Sequence, residues 1–274
     1  MNILILGCGY VGSEVARFWH KKGHRVSVTT TTPDKVDKLA AISDRVMLLE
    51  GNDLDAISNA IEDCEVILLS VGAKSRDTYY QSYQQVATNL ATALRHNHTV
   101  KQVIYTGSYA VLGDKKGQWT DETASTNPIN DRGKILVATE EILLAAKSEK
   151  LKVCILRLGG IYGKDRELIK IFRSRSGTTR PGKGDDYSNW IHLQDIVNGI
   201  EIAREKQLDG IYNLASDECL TTSEFFARLF ATHNLPGLTW NATQESSRPY
   251  NTRLSNQKIK DAGMQFVYPQ IIFR

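Results

Sequence analysis

Three glycines near the start of the chain, Gly7, Gly9 and Gly12, have the spacing G-x-G-x-x-G. They follow a short apolar run, residues 2–6, and precede apolar residues at helical spacing. In this context the first glycine permits a tight turn, the second lets a phosphate approach the backbone, and the third lets helix and strand pack closely. The N-terminus of the helix attracts the phosphate charge. The pattern predicts a dinucleotide pyrophosphate site, with a tight turn that binds nothing as the alternative.

The end of the second predicted strand bears on which dinucleotide the turn would hold. An Asp or Glu at that point binds the ribose hydroxyls and repels a 2′-phosphate, which favours NAD. Here the strand, residues 25–30, runs into consecutive threonines. Because Thr30, Thr31 and Lys35 suit a phosphate, NADP is favoured. Asp34 lies slightly too far along the chain, but it keeps NAD open as the alternative.

The composition is ordinary for a soluble globular protein. Hydrophobic residues make up 41% of the 274 residues, charged residues make up 24%, and the net charge is +3. So small a charge gives no reason to expect nucleic acid or a membrane surface as a partner. No apolar run approaches the ~20 residues that span a membrane. We therefore expect a cytoplasmic protein whose partner is a small-molecule substrate.

The cysteines lie far apart in the sequence, at Cys8, Cys64, Cys154 and Cys219. Their spacing matches neither a zinc site nor a disulfide framework. We therefore predict reduced thiols, most of them buried, and no metal site.

Predicted strands and helices alternate over the first 150 or so residues. This order predicts an α/β fold of the Rossmann type, a doubly wound parallel sheet with helices on both faces. One of its helices is expected over residues 33–42, with Thr32 as a possible N-cap. Another is expected over residues 221–233, capped by Thr221 or Thr222.

The alternation loosens after Arg157, where a polar segment rich in Arg, Gly, Asp and Ser follows. We predict a dinucleotide-binding domain over residues 1–158, to which residues 187–215 return. Residues 159–186 and 216–274 would then form a small C-terminal substrate lobe.

Over nearly its whole length, the sequence resembles the extended and atypical short-chain dehydrogenase/reductases, the NAD-dependent epimerase/dehydratase-like proteins. Besides the glycine turn, the resemblance rests on residues 51–54, 70–73, 105–113, 157–163, 190–196 and 212–214. It implies that the adenine lies near Asp53 and the nicotinamide near Ser108 and Gly159. Taken together, the turn, the second strand and the resemblance assign cofactor binding to Gly7, Gly9, Tyr10, Val11, Gly12, Thr30, Thr31, Asp53, Leu54, Ser70, Val71, Gly72, Leu158 and Gly159.

The sequence departs from the family at the Tyr-x-x-x-Lys pair that the family uses for proton exchange. If Lys134 is taken as the family lysine, Asn130 stands at the tyrosine position. If Glu140 is aligned with the glutamate that usually follows, Arg132 and Leu136 occupy the two positions instead. The pair is incomplete either way, which makes the chain similar to an atypical branch, the bacterial YeeZ-type proteins.

Three residues are candidates to take over the chemistry. Ser108 matches the family's catalytic serine or threonine, or it caps a loop. Tyr109 is a nearby phenol that could replace the missing acid, or it packs against its neighbours. Lys134 could bind ribose or polarise a substrate oxygen, or it is a solvated helix lysine.

Two further sets of residues have weaker assignments. His192 and Asp195 are expected to stabilise the loop that joins a strand to a helix. Five arginines could bind an anionic substrate such as a sugar nucleotide, or they form a basic face that only solvent contacts. They are Arg173, Arg175, Arg180, Arg248 and Arg253.

Two functions follow from the sequence. One is an NAD(P)-dependent oxidoreductase or epimerase that acts on a small polar or sugar-linked substrate. The other is a catalytically silent NAD(P)-binding sensor or partner-binding protein, which the missing tyrosine favours.

Overall fold

The computed structural model describes residues 1–73, 75–248 and 250–274. The strands within these ranges are β1 (Asn2–Leu6), β2 (Arg25–Thr30), β3 (Arg45–Leu48), β4 (Val66–Leu69), β5 (Gln102–Ser108), β6 (Trp119–Thr120), β7 (Lys152–Leu158), β8 (Gly160–Tyr162), β9 (Thr179–Pro181), β10 (Tyr187–Ser188), β11 (Trp190–His192), β12 (Gly210–Leu214), β13 (Leu220–Thr221), β14 (Thr239–Asn241) and β15 (Arg253–Leu254).

The α-helices of the same ranges are α1 (Tyr10–Lys21), α2 (Val36–Ala40), α3 (Leu54–Ala60), α4 (Val86–Leu94), α5 (Asp131–Ala145), α6 (Leu168–Phe172), α7 (Leu193–Glu205), α8 (Thr222–Thr232) and α9 (Gln257–Asp261). A π-helical turn, Gln81–Gln85, leads into α4. Within the described part of the chain, no helix is long and apolar enough to cross a membrane.

The chain divides into two compact units. The first unit contains Met1–Gly107, Asn130–Leu156 and Gly199–Tyr212. The second unit contains Ser108–Ile129, Arg157–Asn198 and Asn213–Arg274. These units reflect only how the chain packs. The division into a dinucleotide-binding domain and a substrate lobe concerns which ligand each part binds, and it stays a prediction.

A seven-stranded parallel sheet organises the first unit, and it confirms the predicted α/β fold. The strand order is β12-β7-β5-β4-β1-β2-β3. Since β1 lies between β2 and β4, the chain reverses its direction of winding at β1. Ligands of open α/β sheets bind at the carboxyl ends of the strands beside such a reversal. The glycine turn that follows β1 lies at this position.

Helices cover both faces of this sheet. Leu4 and Leu6 of β1 face a buried cluster that includes Ile57 of α3 and Leu90 of α4. Ile5 points to the opposite face, because side chains alternate along a strand, and there it meets α1 at Gly12. Because both faces of the sheet are buried, its strands consist of consecutive apolar residues and do not alternate between apolar and polar ones.

The predicted helix over residues 33–42 is wrong in its first turn. Pro33–Lys35 forms a 3₁₀ turn, closed by a hydrogen bond from Lys35 N to Thr32 O of 3.1 Å, and α2 begins only at Val36. Thr32 stands at the N-cap position of this 3₁₀ turn, as expected, but its side chain makes no capping hydrogen bond.

Short strand pairs and an aromatic core build the second unit. Trp190 stacks on Phe225 with 4.9 Å between ring centroids, and Phe172 meets the edge of each ring. The predicted cap of α8 is confirmed, because Thr221 and Glu224 form a reciprocal capping box. The four cysteines are reduced thiols, as predicted, and Cys219 is the one that is not fully buried.

Candidate functional site

The three glycines of the turn after β1 have three different environments. Gly7 has φ +89°, and a Cβ added to it would lie 2.7 Å from Val71 Cγ1. A Cβ on Gly12 would lie 3.0 Å from Gly7 O, so this glycine lets α1 pack onto the turn. A Cβ on Gly9 would meet no described atom within 4 Å. Gly9 is thus the glycine whose missing side chain leaves room for a ligand, which fits a pyrophosphate.

The end of β2 holds the turn in place. Gly7 N donates a hydrogen bond to Thr29 Oγ1 at 2.9 Å, and Cys8 N donates to Thr29 O at 2.8 Å. Thr30 Oγ1 accepts from Thr32 N at 3.2 Å, whereas Thr31 is exposed. Thr29 was not among the predicted site residues, because the pairing partner of a strand hydroxyl cannot be read from spacing alone.

Cys8 occupies the middle of the glycine turn without being reactive. Burial raises the pKa of its thiol to about 11, although a hydrogen bond with Ser13 and the charge of Lys35 both oppose the rise. The thiol therefore stays protonated at neutral pH and packs as a small apolar group. The same interaction shows that the Lys35 ammonium lies near the turn.

The loop before α3, where the adenine is predicted, is fixed by two contacts. Asp53 caps α3 by accepting a hydrogen bond from Ala56 N at 2.9 Å. Gly51 O accepts from Asn89 Nδ2 at 2.9 Å. Gly51 also packs so closely on Val86 that an added Cβ would collide with Cγ2 of this valine. Leu54, the neighbouring predicted contact, is 37% exposed.

The carboxyl end of β4 is joined to both neighbouring strands. Ser70 N donates to Leu6 O of β1 at 2.9 Å, and Ser70 Oγ accepts from Thr106 Oγ1 of β5 at 3.2 Å. The adjoining Val71 presses on Gly7, and a Cβ on Gly72 would meet no described atom within 4 Å. The structure thus brings the predicted ribose-lining segment against the phosphate turn. Thr106 is an additional member that spacing did not indicate.

The start of α5 does not form the family's catalytic pair. Asn130 is its N-cap, accepting from Gly133 N at 3.0 Å. Lys134 lies one turn further on, where its ammonium pairs with Asp131 at 3.0 Å and its side chain is 67% exposed. Neither residue points to proton chemistry in this arrangement, and the assignment of Lys134 as catalytic stays a prediction.

Ser108 ends β5 and is the first residue of the second unit. Its Oγ accepts a hydrogen bond from Ala110 N at 3.2 Å and so caps the 3₁₀ turn Tyr109–Leu112. A hydroxyl that accepts in this way still has its own proton to donate. Ser108 can therefore cap the turn and bind a substrate oxygen at the same time, and its catalytic role stays a prediction.

Tyr109 is a buried phenol paired with an arginine. Arg248 Nη2 donates to its Oη at 3.0 Å, and the ring meets the edge of Tyr250 at 5.0 Å. Burial raises the pKa of Tyr109 to about 12, even though the Arg248 charge opposes the rise. Tyr109 is thus protonated at neutral pH and can act as a proton donor but not as a ready base.

Arg248 binds only neutral acceptors in the part of the chain that the structure describes. Besides Tyr109, its Nη1 donates to Thr222 Oγ1 at 3.4 Å and its Nε donates to Tyr250 O at 3.1 Å. Hydrogen bonds of this kind fix the direction of the guanidinium without neutralising its charge. The charge is therefore left to attract an anion.

Two more arginines lie within electrostatic reach of each other and of Arg248. Arg175 stacks on Phe172 at 4.9 Å, burial lowers the pKa of its guanidinium, and the charges of Arg180 and Arg248 lower it further. Among the described residues, no carboxylate forms an ion pair with any of the three. We call Arg175, Arg180 and Arg248 the arginine cluster.

The other two candidate arginines have different environments. Arg173 is exposed, and its charge is not among those that lower the pKa of Arg175. Arg253 lies between the rings of Trp119 and Tyr187, at 5.2 and 4.7 Å, and donates to Gly117 O. Of the five candidate arginines, Arg180 and Arg248 are thus the two whose charges act on Arg175.

The remaining predicted positions of the second unit are held by backbone packing. Leu158 is buried, and a Cβ on Gly159 would lie 3.1 Å from Asn189 O. His192 Nδ1 accepts from Gln194 N at 3.1 Å, which confirms its stabilising role between β11 and α7. Asp195 differs from expectation, because its carboxylate accepts instead from Val267 N and Tyr268 N and so holds the C-terminal segment.

Metal-ligating side chains do not gather anywhere in the described residues: no group of three or more His, Cys, Asp or Glu is placed to hold an ion. The hydroxyls, amides and guanidiniums described above are groups that suit phosphates and sugars.

Comparison with known proteins places these observations in context. The model of the "NAD dependent epimerase/dehydratase family" matches residues 3–215. Protein YeeZ of Escherichia coli K12 is 26% identical over 238 residues, which cover 83% of this chain and 82% of YeeZ.

Solved structures of two sugar-nucleotide epimerases share the fold. UDP-glucuronic acid 4-epimerase of Bacillus cereus, in complex with UDP-glucuronic acid and NAD, has a TM-score of 0.80 at 18% identity. The match covers 100% of this chain and 95% of the epimerase. UDP-glucose 4-epimerase of Thermotoga maritima, with UDP-glucose, has a TM-score of 0.81 at 19% identity. The match covers 97% of this chain and 93% of the epimerase. Likeness at such low identity shows the fold alone.

Proposed function

Since the chain belongs to the NAD-dependent epimerase/dehydratase family, we propose that it is an NAD(P)-dependent oxidoreductase or epimerase of a small sugar-linked substrate. The first unit supplies the dinucleotide site, with the pyrophosphate at Gly9 and the adenine at Asp53. The second unit supplies the substrate site. NADP is the favoured dinucleotide, because the tip of β2 carries threonines and no carboxylate.

The observation that carries the proposal is the arginine cluster of the second unit. Three like charges repel each other, and half-buried guanidiniums without carboxylate partners have lost part of their hydration. A bound anion offsets both costs. A protein that only held a dinucleotide in its first unit would have no use for this cluster. The cluster therefore favours an anionic substrate, such as the diphosphate of a sugar nucleotide.

The residues around the cluster define a chemical role for the second unit. The bound dinucleotide supplies the hydride chemistry. Ser108 donates a hydrogen bond to a substrate oxygen, and Tyr109 holds a proton at its Oη that a reduced carbonyl can receive. Arg248 orients that phenol while it attracts the substrate's negative charge. Tyr109 thereby substitutes for the tyrosine that α5 lacks.

A catalytically silent dinucleotide-binding protein is the second candidate function. The observation that favours it is the start of α5, where Asn130 serves as a cap and Lys134 is exposed and paired with Asp131. Such a protein would bind the dinucleotide with full affinity and would leave sugar nucleotides unchanged.

The test combines binding with turnover. The full chain is titrated calorimetrically with the four nicotinamide dinucleotides and with UDP-glucose and UDP-glucuronic acid. Each UDP-sugar is then incubated with the dinucleotide that binds, and both sugar isomers and nicotinamide absorbance are followed. We expect binding of both ligand classes and conversion of at least one UDP-sugar.

Variants connect the outcome to named residues. Arg248→Lys and Arg175→Ala should weaken UDP-sugar binding by roughly tenfold or more, since each loses charge-assisted hydrogen bonds. Arg173→Ala is the matched control from the same 3₁₀ turn, Arg173–Arg175, and should bind like the wild type. Dinucleotide binding without any UDP-sugar binding or conversion would support the silent function, and absence of dinucleotide binding would contradict both.

A further inference from the structure

Two hydroxyl groups separate Arg248 from Asp186 in the second unit. The Ser246 hydroxyl donates a hydrogen bond to Asp186 Oδ2 and accepts one from Arg248 N at 3.2 Å. The Thr222 hydroxyl repeats this pattern, because it donates to Asp186 O at 2.9 Å and accepts from Arg248 Nη1 at 3.4 Å. In the described part of the chain the Asp186 carboxylate forms no ion pair with Arg248. A carboxylate thus lies one hydroxyl away from the arginine cluster without neutralising it.

The two hydroxyls act on different parts of Asp186. Thr222, the first residue of α8, engages its backbone, since Thr222 N also donates to Asp186 O at 2.7 Å. Ser246 engages its carboxylate. If the Ser246 hydroxyl were removed, the backbone of Asp186 would stay fixed while its side chain became free to rotate. A carboxylate in this position would turn to the nearest charged donor, which is the Arg248 guanidinium.

Close packing fixes the segment that carries Ser246 independently of its hydroxyl. A Cβ added to Gly182 would lie 3.0 Å from Ser246 Cα, and one added to Gly184 would lie 2.6 Å from Trp240 Cε2. Both glycines have a positive φ, +92° and +73°, which side chains rarely adopt. These contacts hold the segment against the loop that precedes Asp186. Loss of the hydroxyl alone should therefore leave the backbone in place.

A freed Asp186 carboxylate would compete with a substrate for the arginine cluster. The cluster carries three positive charges, and Arg248 binds only neutral acceptors among the described residues. Pairing with Asp186 would neutralise one of these charges, and the pair would have to break before an anion could bind in its place. The hydrogen bond from Ser246 prevents this competition.

We propose that Ser246 is a positioning residue that keeps Arg248 available to an anionic substrate by binding the Asp186 carboxylate. The inference rests on the proposed function, because it requires the arginine cluster to bind the anionic group of the substrate. It assigns roles in substrate affinity to a serine and an aspartate, neither of which needs to contact the substrate.

Calorimetric titration of the full chain with UDP-glucose and UDP-glucuronic acid tests the inference. Ser246→Ala should bind each UDP-sugar that the wild type binds about three- to tenfold more weakly, since a half-exposed ion pair between Asp186 and Arg248 must first be broken. Its affinity for the dinucleotide should stay within about twofold of the wild type, because the dinucleotide is proposed to bind the first unit.

A second substitution distinguishes competition by Asp186 from simple bracing of the loop. Asp186→Asn removes the competing charge and should bind UDP-sugars at least as tightly as the wild type. In Ser246→Ala/Asp186→Asn no carboxylate is left to compete, so the affinity should return to within about twofold of that of Asp186→Asn. A serine that only braced the loop would leave the double variant as weak as Ser246→Ala.

Ser247→Ala and Asp185→Asn are the matched controls. They remove the same hydroxyl and the same charge from the adjacent exposed positions. Both should bind UDP-sugars within about twofold of the wild type. Thermal unfolding of every variant at the wild-type temperature verifies that the chain folds.

The outcomes separate this inference from the function on which it rests. Wild-type affinity in Ser246→Ala, or a double variant that is not rescued, would overturn the role of Ser246 while leaving the proposed substrate in place. An equal loss in Ser247→Ala would overturn that role as well. Failure of the wild type to bind either UDP-sugar would overturn the proposed substrate together with the inference.

Discussion

Tyr109 and Arg248 illustrate at the scale of single residues how a site can lack its usual acid and still hold a proton. The hydrogen bond of 3.0 Å from Arg248 orients the phenol, and burial holds the pKa of Tyr109 at about 12. A lysine beside a tyrosine would lower the phenol's pKa and prepare it as a base. In this protein burial prevails, so the phenol is protonated at neutral pH and is proposed to give its proton to the substrate oxygen during carbonyl reduction.

Replacement of the phenol tests this role. Tyr109→Phe removes Oη and keeps the ring, so turnover should fall by roughly 100-fold or more, as for loss of a general acid. NADPH affinity should stay within about twofold, since the dinucleotide is proposed to bind the first unit. Steady-state kinetics of carbonyl reduction with NADPH provide the measurement.

Tyr80→Phe is the control for this variant, because Tyr80 is 48% exposed. It should reduce substrate at the wild-type rate. Full turnover by Tyr109→Phe would show that the proton comes from elsewhere and would reduce Tyr109 to a packing residue.

The glycine turn is the element in which sequence and structure agree most closely. Gly7 and Gly12 are confined by neighbouring atoms, whereas a Cβ on Gly9 would meet no described atom within 4 Å, and the φ of Gly9 is −94°. Gly9→Ala should therefore fold, with a free energy of unfolding lowered by no more than about 1 kcal/mol, the cost of alanine in place of glycine at the N-cap of α1. It should nonetheless bind NADPH at least about tenfold more weakly, because the methyl group would occupy the space of the pyrophosphate.

Gly51→Ala is the complementary variant. A Cβ there would collide with Val86 on α4, so we expect an overpacking cost of about 1–3 kcal/mol in the free energy of unfolding. Urea denaturation of both glycine variants, with NADPH titration of the folded protein, gives the comparison. A destabilised Gly9→Ala that binds NADPH normally would refute the assignment of Gly9.

Helices α1 and α7 are joined by a buried charge. Glu201 of α7 accepts hydrogen bonds from Trp19 Nε1 and Lys22 Nζ, both at 2.7 Å, and from Arg204 Nε at 2.8 Å. Burial alone would raise the pKa of Glu201, but the bonds from Arg204, Lys22 and Trp19 outweigh it and lower the pKa to about 2. The carboxylate is therefore more stable as an anion in the folded protein than in the unfolded chain.

The pH dependence of stability follows from the sign of this shift. A depressed carboxyl pKa contributes stability that is complete above the unfolded value near 4.5 and is lost as the pH falls toward 2. Glu201→Gln should lower the free energy of unfolding at pH 7 by on the order of 3 kcal/mol. It should also flatten the decline below pH 4.5. Urea unfolding at several pH values measures both, and an unchanged acid limb would contradict the assignment.

The sequence predicted helices, strands and caps correctly where a local pattern of residues determines them. It failed where contacts between distant parts of the chain determine the structure. The parallel sheet followed from buried apolar runs, and the cap of α8 followed from Thr221 and Glu224. The predicted start of an α-helix at Pro33 was wrong, because Pro33–Lys35 closes a 3₁₀ turn and α2 begins at Val36. Thr29 and Thr106 were missed, since their partners lie on neighbouring strands whose register no spacing reveals.

At the scale of the whole molecule, we propose that each unit recognises an anion by a different means. The dinucleotide pyrophosphate would meet the backbone at Gly9 in the first unit, and an anionic substrate would meet the arginine cluster of the second. Arg175, Arg180 and Arg248 are separated by up to 73 positions in the sequence, so only the folded chain could show that they act together. Their selection from five candidate arginines is the part of the site that sequence reasoning could not supply.

Ligand binding should stabilise the molecule in a way that reports on the first unit. A ligand that binds only the folded state at 100 times its Kd adds about 2.7 kcal/mol to the free energy of unfolding, so saturating NADPH should raise the thermal midpoint. Hydrogen exchange should slow at Gly7 to Gly12 and at Thr31 to Lys35, where the ligand is proposed to bind. Gly9→Ala should lose both effects at the same NADPH concentration. If its midpoint rises as much as that of the wild type, the stabilising dinucleotide binds somewhere other than the turn after β1.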